Sequence, residues 1–103
     1  MAESKRKLAF VFVARGADPA KQRTVMELDA IDLLVVGVAD YQQAVSACKD
    51  LAKEGVSCIE LCAGFGHAGV AQVAAAVPGV NVGAVRFDAH PSLGCKSGDE
   101  VFR

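Results

Sequence analysis

Two stretches, Leu8-Ala-Phe-Val-Phe-Val-Ala14 and Leu33-Leu-Val-Val-Gly-Val38, are apolar at almost every position. That continuity constrains the fold more than any other feature of the chain. A strand with one face in water alternates apolar and polar residues. An unbroken run rich in β-branched and aromatic residues is what a strand buried on both faces requires, as in a parallel sheet. Cys58-Ile-Glu-Leu-Cys62 and Val80-Asn-Val-Gly-Ala-Val-Arg-Phe87 read the same way, with polar interruptions.

Between these runs the period changes. Asp40 is placed to cap a helix, and Gln43, three residues on, completes a capping box. Val45, Cys48, Leu51 and Ala52 then share one face while Lys49, Asp50, Lys53 and Glu54 fall elsewhere. Gly55 supplies a left-handed stop. A further helix is predicted from Gly66 to Val77, ended by Pro78-Gly79. It is almost uncharged, so burial on more than one side is expected, the extra cover coming from another subunit. The first connection is read as a helix opening at Asp18-Pro19, cap then first-turn proline. Thr24-Val-Met-Glu-Leu28 also fits an extended strand in a hairpin with Leu33–Val38.

Strand, helix, strand in this order predicts a small doubly wound, mainly parallel four-stranded sheet, flavodoxin-like or Rossmann-like, with helices on both faces. The 103 residues suit one domain. Residues 1–6 form a short basic end, and 92–103 an irregular tail free to fold back over the sheet edge or onto a neighbour.

Eleven basic against twelve acidic residues leave a net charge of −1, which excludes a face-wide attraction to nucleic acid or anionic membrane. Lys5-Arg6-Lys7 ahead of Leu8–Ala14 mimics a signal peptide. The apolar run is short, however, and Arg15-Gly-Ala-Asp18 stands where a small-residue cleavage site belongs. No stretch nears the roughly 20 apolar residues of a membrane span. A cytoplasmic protein is expected, with Cys48, Cys58, Cys62 and Cys95 as reduced, mostly buried thiols.

In parallel sheets ligands bind outside the carboxyl ends of the strands. Four loops meet there: Arg15–Asp18, Asp40-Tyr41, Ala63–His67 and Asp88–Pro91. Gly64-Phe-Gly-His-Ala-Gly69 spells GxGxxG after a predicted strand and at the start of a helix, with Asp88 ending the next strand. That context suits a dinucleotide fingerprint. Its place on the third strand leaves no room for the other half of such a site, and a tight crossover also needs glycines. What survives is a turn able to hold a phosphate or carboxylate.

Glu60, inside an apolar strand, must be paired, protonated or solvated. Arg86 at comparable depth on the next strand is its expected partner, a pair that is either structural or a ligand anchor. Glu60, His67 and His90 are the catalytic candidates. Gly64, Phe65, Gly66, His67, Arg86, Asp88 and Tyr41 are the ligand-binding candidates, Phe65 and Tyr41 either as core or as stacking platforms. No metal motif has the right spacing, and no cofactor is assigned. Cys58 and Cys62 stand about 13 Å apart at strand rise, too far to act together.

Ile59-Glu-Leu-Cys-Ala-Gly-Phe-Gly-His67, Gly83-Ala-Val-Arg-Phe-Asp88 and Gly16-Ala-Asp-Pro19 resemble the runs of a small bacterial family of about this length, a domain of unknown function. The resemblance implies a small cytoplasmic α/β protein and brings no activity with it. The residues themselves point to binding of a small carboxylate- or phosphate-bearing molecule at the strand-end crevice. The alternatives are a non-catalytic homo-oligomer assembled through helix 66–77 and the tail, and nucleotide binding at the Gly64–Gly69 turn. No nucleic acid or membrane partner is expected.

Overall fold

The unbroken apolar runs become the centre of a sheet. In the computed structural model, which describes residues 5–103, β1 (Arg6–Val13) lies between β3 (Ile31–Val38) and β4 (Val56–Leu61), parallel to both. β5 (Asn81–Ala84) continues the sheet in parallel beyond β4. The fifth strand, β2 (Arg23–Glu27), is antiparallel to β3 and completes the order β2-β3-β1-β4-β5. The sheet is mixed α/β and mostly parallel, with five strands rather than the four predicted. Residues 1–4 of the basic end lie outside the described residues. Lys5 pairs with Asp32 at 2.8 Å, and Arg6 opens β1.

The added strand replaces the helix expected in the first connection. The cap at Asp18 is real: its Oδ1 accepts the Ala20 N–H at 2.9 Å, and the Gln22 N–H reaches the Asp18 carbonyl at 2.7 Å. The turn ends there. Thr24, Val25 and Met26 instead pair with Val35, Leu34 and Leu33. A single good cap stabilises a helix by only about 1 kcal/mol, and β-branched residues beside an unpaired strand edge outweigh it.

This substitution decides how the sheet is covered. α1 (Tyr41–Lys53) connects β3 to β4 and α2 (His67–Ala76) connects β4 to β5, two crossovers that advance in the same direction. Crossovers of one hand and one direction put their helices on one face, and α1 and α2 pack against each other there. Over them lie Ala9, Val11 and Val13, Leu34, Val36 and Val38, and Ile59 and Leu61, all buried. A crossover helix from β1 to β3 would advance the other way and cover the second face. With a strand in its place, the expectation of helices on both faces fails.

α1 is built as its sequence requires. Asp40 accepts the Gln43 N–H at 2.8 Å, and Gln43 Oε1 reaches back to the Ala39 N–H at 2.9 Å. Gly55 ends the helix at φ +98°. α2 buries Gly69 and Val73, while Ala71, Gln72, Ala74 and Ala75 are exposed. The tail, expected to be irregular, forms a 3₁₀ turn at Pro91–Leu93 and a short helix α3 (Gly98–Phe102). Ser97 and Glu100 cap α3 reciprocally, and Phe102 is buried in the core. No helix among the described residues is long and apolar enough to cross a membrane.

Candidate functional site

The carboxyl ends of β1 and β4 open into a crevice of about 570 Å³. Its floor is Val13, Cys62 and Gly64, and the folded-back tail raises its wall with Leu93, Val101 and Phe102. The wall is held by a two-way bridge, in which the His90 N–H donates to the Lys96 carbonyl at 2.9 Å and the Cys95 N–H to the His90 carbonyl at 3.0 Å. Arg15, just past β1, and Lys96, on the tail, are the two cations of the lining, and among the described residues no carboxylate lines it. His90 contributes to the same wall. Its Nδ1 accepts the Ser92 N–H at 3.1 Å and its ring lies tilted against Phe87, centroids 4.8 Å apart. Cys62 Sγ accepts the Gly64 N–H at 3.3 Å.

Arg86 is elsewhere. β4 and β5 are registered with Glu60 opposite Gly83, and β5 ends at Ala84, so Arg86 lies beyond the ladder. Its guanidinium donates to His67 Nδ1 at 3.1 Å, to the carbonyls of Phe65 (3.3 Å) and Phe87 (2.7 Å), and to Asp88 at 3.5 Å. The expected Glu60–Arg86 pair is not formed. Glu60 is exposed on the uncovered face of the sheet, where solvent meets its charge. His67 Nε2 lies 3.7 Å from Asp88 Oδ1. His67 and Asp88 both stand in solvent. Among the described residues no three His, Cys, Asp or Glu side chains converge as a metal ion needs.

The glycine turn is filled from inside the chain. Asp99, at the start of α3, accepts the N–H groups of Ala68 at 2.9 Å and Gly69 at 3.2 Å, which are the free donors of the α2 N-terminus. Its carboxylate stands where an external phosphate would bind. The Tyr41 hydroxyl joins it, donating to Asp99 Oδ1 at 2.7 Å and accepting the Gly66 N–H at 2.8 Å. Each glycine answers to this packing, since a Cβ on Gly66 would strike Asp99 and one on Gly69 the Tyr41 ring. Gly98 itself rests on the Gly64 carbonyl. Phe65 is fully buried and stacks on Tyr41, centroids 5.6 Å apart and planes 10° off parallel. Both aromatics are thus core rather than crevice.

The charges follow. Burial, opposed by the Gly66 N–H and reinforced by the neighbouring Asp99 carboxylate, pushes the Tyr41 hydroxyl up to about 12. Burial also works against ionised Asp99. The Ala68 N–H, the Tyr41 hydroxyl and the Gly69 N–H outweigh it, so that Asp99 ionises below the usual carboxylate range. Burial alone pushes the Cys48 thiol up to about 12, which leaves it inert at neutral pH. All four cysteines are free; Cys48 is buried, Cys58 and Cys62 half-buried, and Cys95 exposed.

The structure therefore gathers Cys62, Gly64 and His90 with Arg15 and Lys96, and leaves Glu60, His67, Arg86 and Asp88 outside that crevice. Arg15 and Lys96 carry no local pattern that marks them. Asp99 did carry one, because Ser97-Gly-Asp-Glu100 is a capping box and signals a helix start within the tail.

Residues 6–100 match a family described as "Family of unknown function (DUF6506)". The chain belongs to that family. The matched region holds Arg15, Cys62, His90, Lys96 and Asp99, whereas Val101 and Phe102 fall just beyond it. Neither the curated proteins nor the solved structures gave a match.

Proposed function

We propose that the protein binds a small molecule bearing a carboxylate or phosphate in the crevice at the carboxyl ends of β1 and β4. The observation that carries the reading is the pairing of two cations, Arg15 and Lys96, with an apolar floor and no facing acid. An anionic end would lie between the cations, and an apolar body on Val13, Leu93 and Phe102. The volume suits a metabolite-sized ligand, and the location agrees with where parallel sheets take ligands. Gly64 lends its backbone to the floor, but the Ala68 and Gly69 N–H groups further along that turn are not open to a ligand, because Asp99 already uses them. Cys62 and His90 also line the crevice.

A thermal-shift screen over monocarboxylates, dicarboxylates, sugar phosphates and nucleotides tests this directly, since a ligand of the folded state raises the melting midpoint. A charged hydrogen bond contributes about 1.5–3 kcal/mol. Arg15→Ala or Lys96→Ala should therefore weaken a hit by roughly ten- to a hundredfold while Arg86→Ala leaves it within a few fold. A hit abolished by Arg86→Ala and indifferent to both crevice cations would sink the proposal, as would silence from every anionic class.

A further inference from the structure

The central strands are apolar on both faces, yet the helices cover only one. The other face carries Leu8, Phe10 and Phe12 from β1, Leu33 and Val35 from β3, and Met26 from β2. Met26 is 57% exposed, and Val85 just past β5 is 58% exposed. Strands evolved for water on that side would alternate with polar residues. β1 and β3 do not, so their sequence is that of a face covered in the working assembly.

The charges on the face identify its cover. The strands place two charged residues there, Arg6 at the start of β1 and Glu60 on β4. Neither has an ion-pair partner among the described residues. Glu60 is level with Phe10 on the neighbouring strand, and Arg6 lies four residues back along β1, about 13 Å away. One cation and one anion at separate points on an apolar face make it complementary to itself. A two-fold axis normal to the face and midway between them would make the copies overlap; an axis lying in the face, across the line that joins them, brings Arg6 of each copy onto Glu60 of the other with the copies stacked face to face. That axis passes near Leu8 and Cys58, so apolar side chains meet between the two ion pairs. The strands of the copies then run roughly antiparallel at an oblique angle, within reach of the aligned packing of stacked sheets. Five strands about 4.8 Å apart and up to eight residues long present on the order of 500 Å² in plan. Side-chain relief carries the accessible area to roughly the 600 Å² per partner at which specific interfaces begin.

We propose that the uncovered sheet face is a two-fold interface with a second copy of this chain, closed at each end by an Arg6–Glu60 pair. The contact lies on the sheet and not on α2, whose outward residues Ala71, Ala74 and Ala75 offer little apolar area.

Sedimentation velocity on the full chain tests it by charge reversal. The wild type should sediment as a dimer. Arg6→Glu and Glu60→Arg should each weaken the dimer by about tenfold or more, and the double reversal should restore it to within a few fold. Ala74→Glu should change nothing. Circular dichroism confirms that each variant is folded. Should either reversal fail to fold, Arg6→Gln and Glu60→Gln report the same contact at roughly threefold each. A wild type that stays monomeric over the whole concentration range overturns the proposal. So does a dimer that ignores both reversals, or a double reversal no tighter than the single ones.

Discussion

Along β1, Ala9, Val11 and Val13 alternate with Leu8, Phe10 and Phe12. The two sets are immediate neighbours in the chain and equally apolar, yet the first is sealed under α1 and α2 while the second is half-buried. Residue type made this strand central in the sheet. The connections chose the face to be covered, because both helical crossovers advance the same way and the third connection is a hairpin strand. Hydrophobicity and topology are separate instructions, and here they disagree on one side of the sheet. That disagreement is the physical argument for the two-fold interface proposed above.

The contrast can be broken by paired substitutions, one on each face, measured where the chain is monomeric. Phe65→Ala on the covered side should lose about 3–5 kcal/mol in chemical denaturation, while Phe10→Ala on the open side should lose about 1 kcal/mol. Equal losses would mean the open face is as tightly packed as the covered one. Glycines give a sharper pair. Gly69→Ala drives a methyl into the Tyr41 ring and should destabilise by about 1–3 kcal/mol. A methyl added at Gly83, on β5, would meet nothing within 4 Å, so Gly83→Ala should stay within about 0.5 kcal/mol.

A pH-dependent effect concerns the tail that helps seal the covered side. Asp99→Asn should lose about 1 kcal/mol at neutral pH, the usual worth of a helix cap. Because Asp99 ionises below its ordinary value in the folded state, its stabilisation is complete above about pH 4 and fades as pH falls through the lowered value. The difference between wild type and variant should shrink in acid. A gap constant from pH 7 to pH 2 would remove the charge from this account.

Much of the scaffold was legible because its signals are local. Asp40, Gln43 and Gly55 bracket α1 through contacts within a turn of themselves, and the continuous apolar runs mark β1 and β3. The Asp18-Pro19 signal was equally local and true for one turn. It misled because pairing with β3, a decision made elsewhere in the chain, set the fate of residues 23–27. The same distinction governs the candidate site. Glu60 and Arg86 were matched by counting along each strand, but register is fixed between strands and sets Glu60 against Gly83. Arg15 and Lys96 line one crevice only because the tail returns to the sheet edge, which no spacing in the sequence records.

The Asp99 carboxylate has a further consequence. The amide protons it binds, those of Ala68 and Gly69, have no acceptor within their own helix, since helical donors so near the N-terminus reach back to nothing. Their hydrogen-exchange protection is therefore lent to them by a segment some thirty residues away. Those two amides become an internal gauge of whether the C-terminal segment is seated, readable without a label and separately from the global unfolding that exposes the core strands.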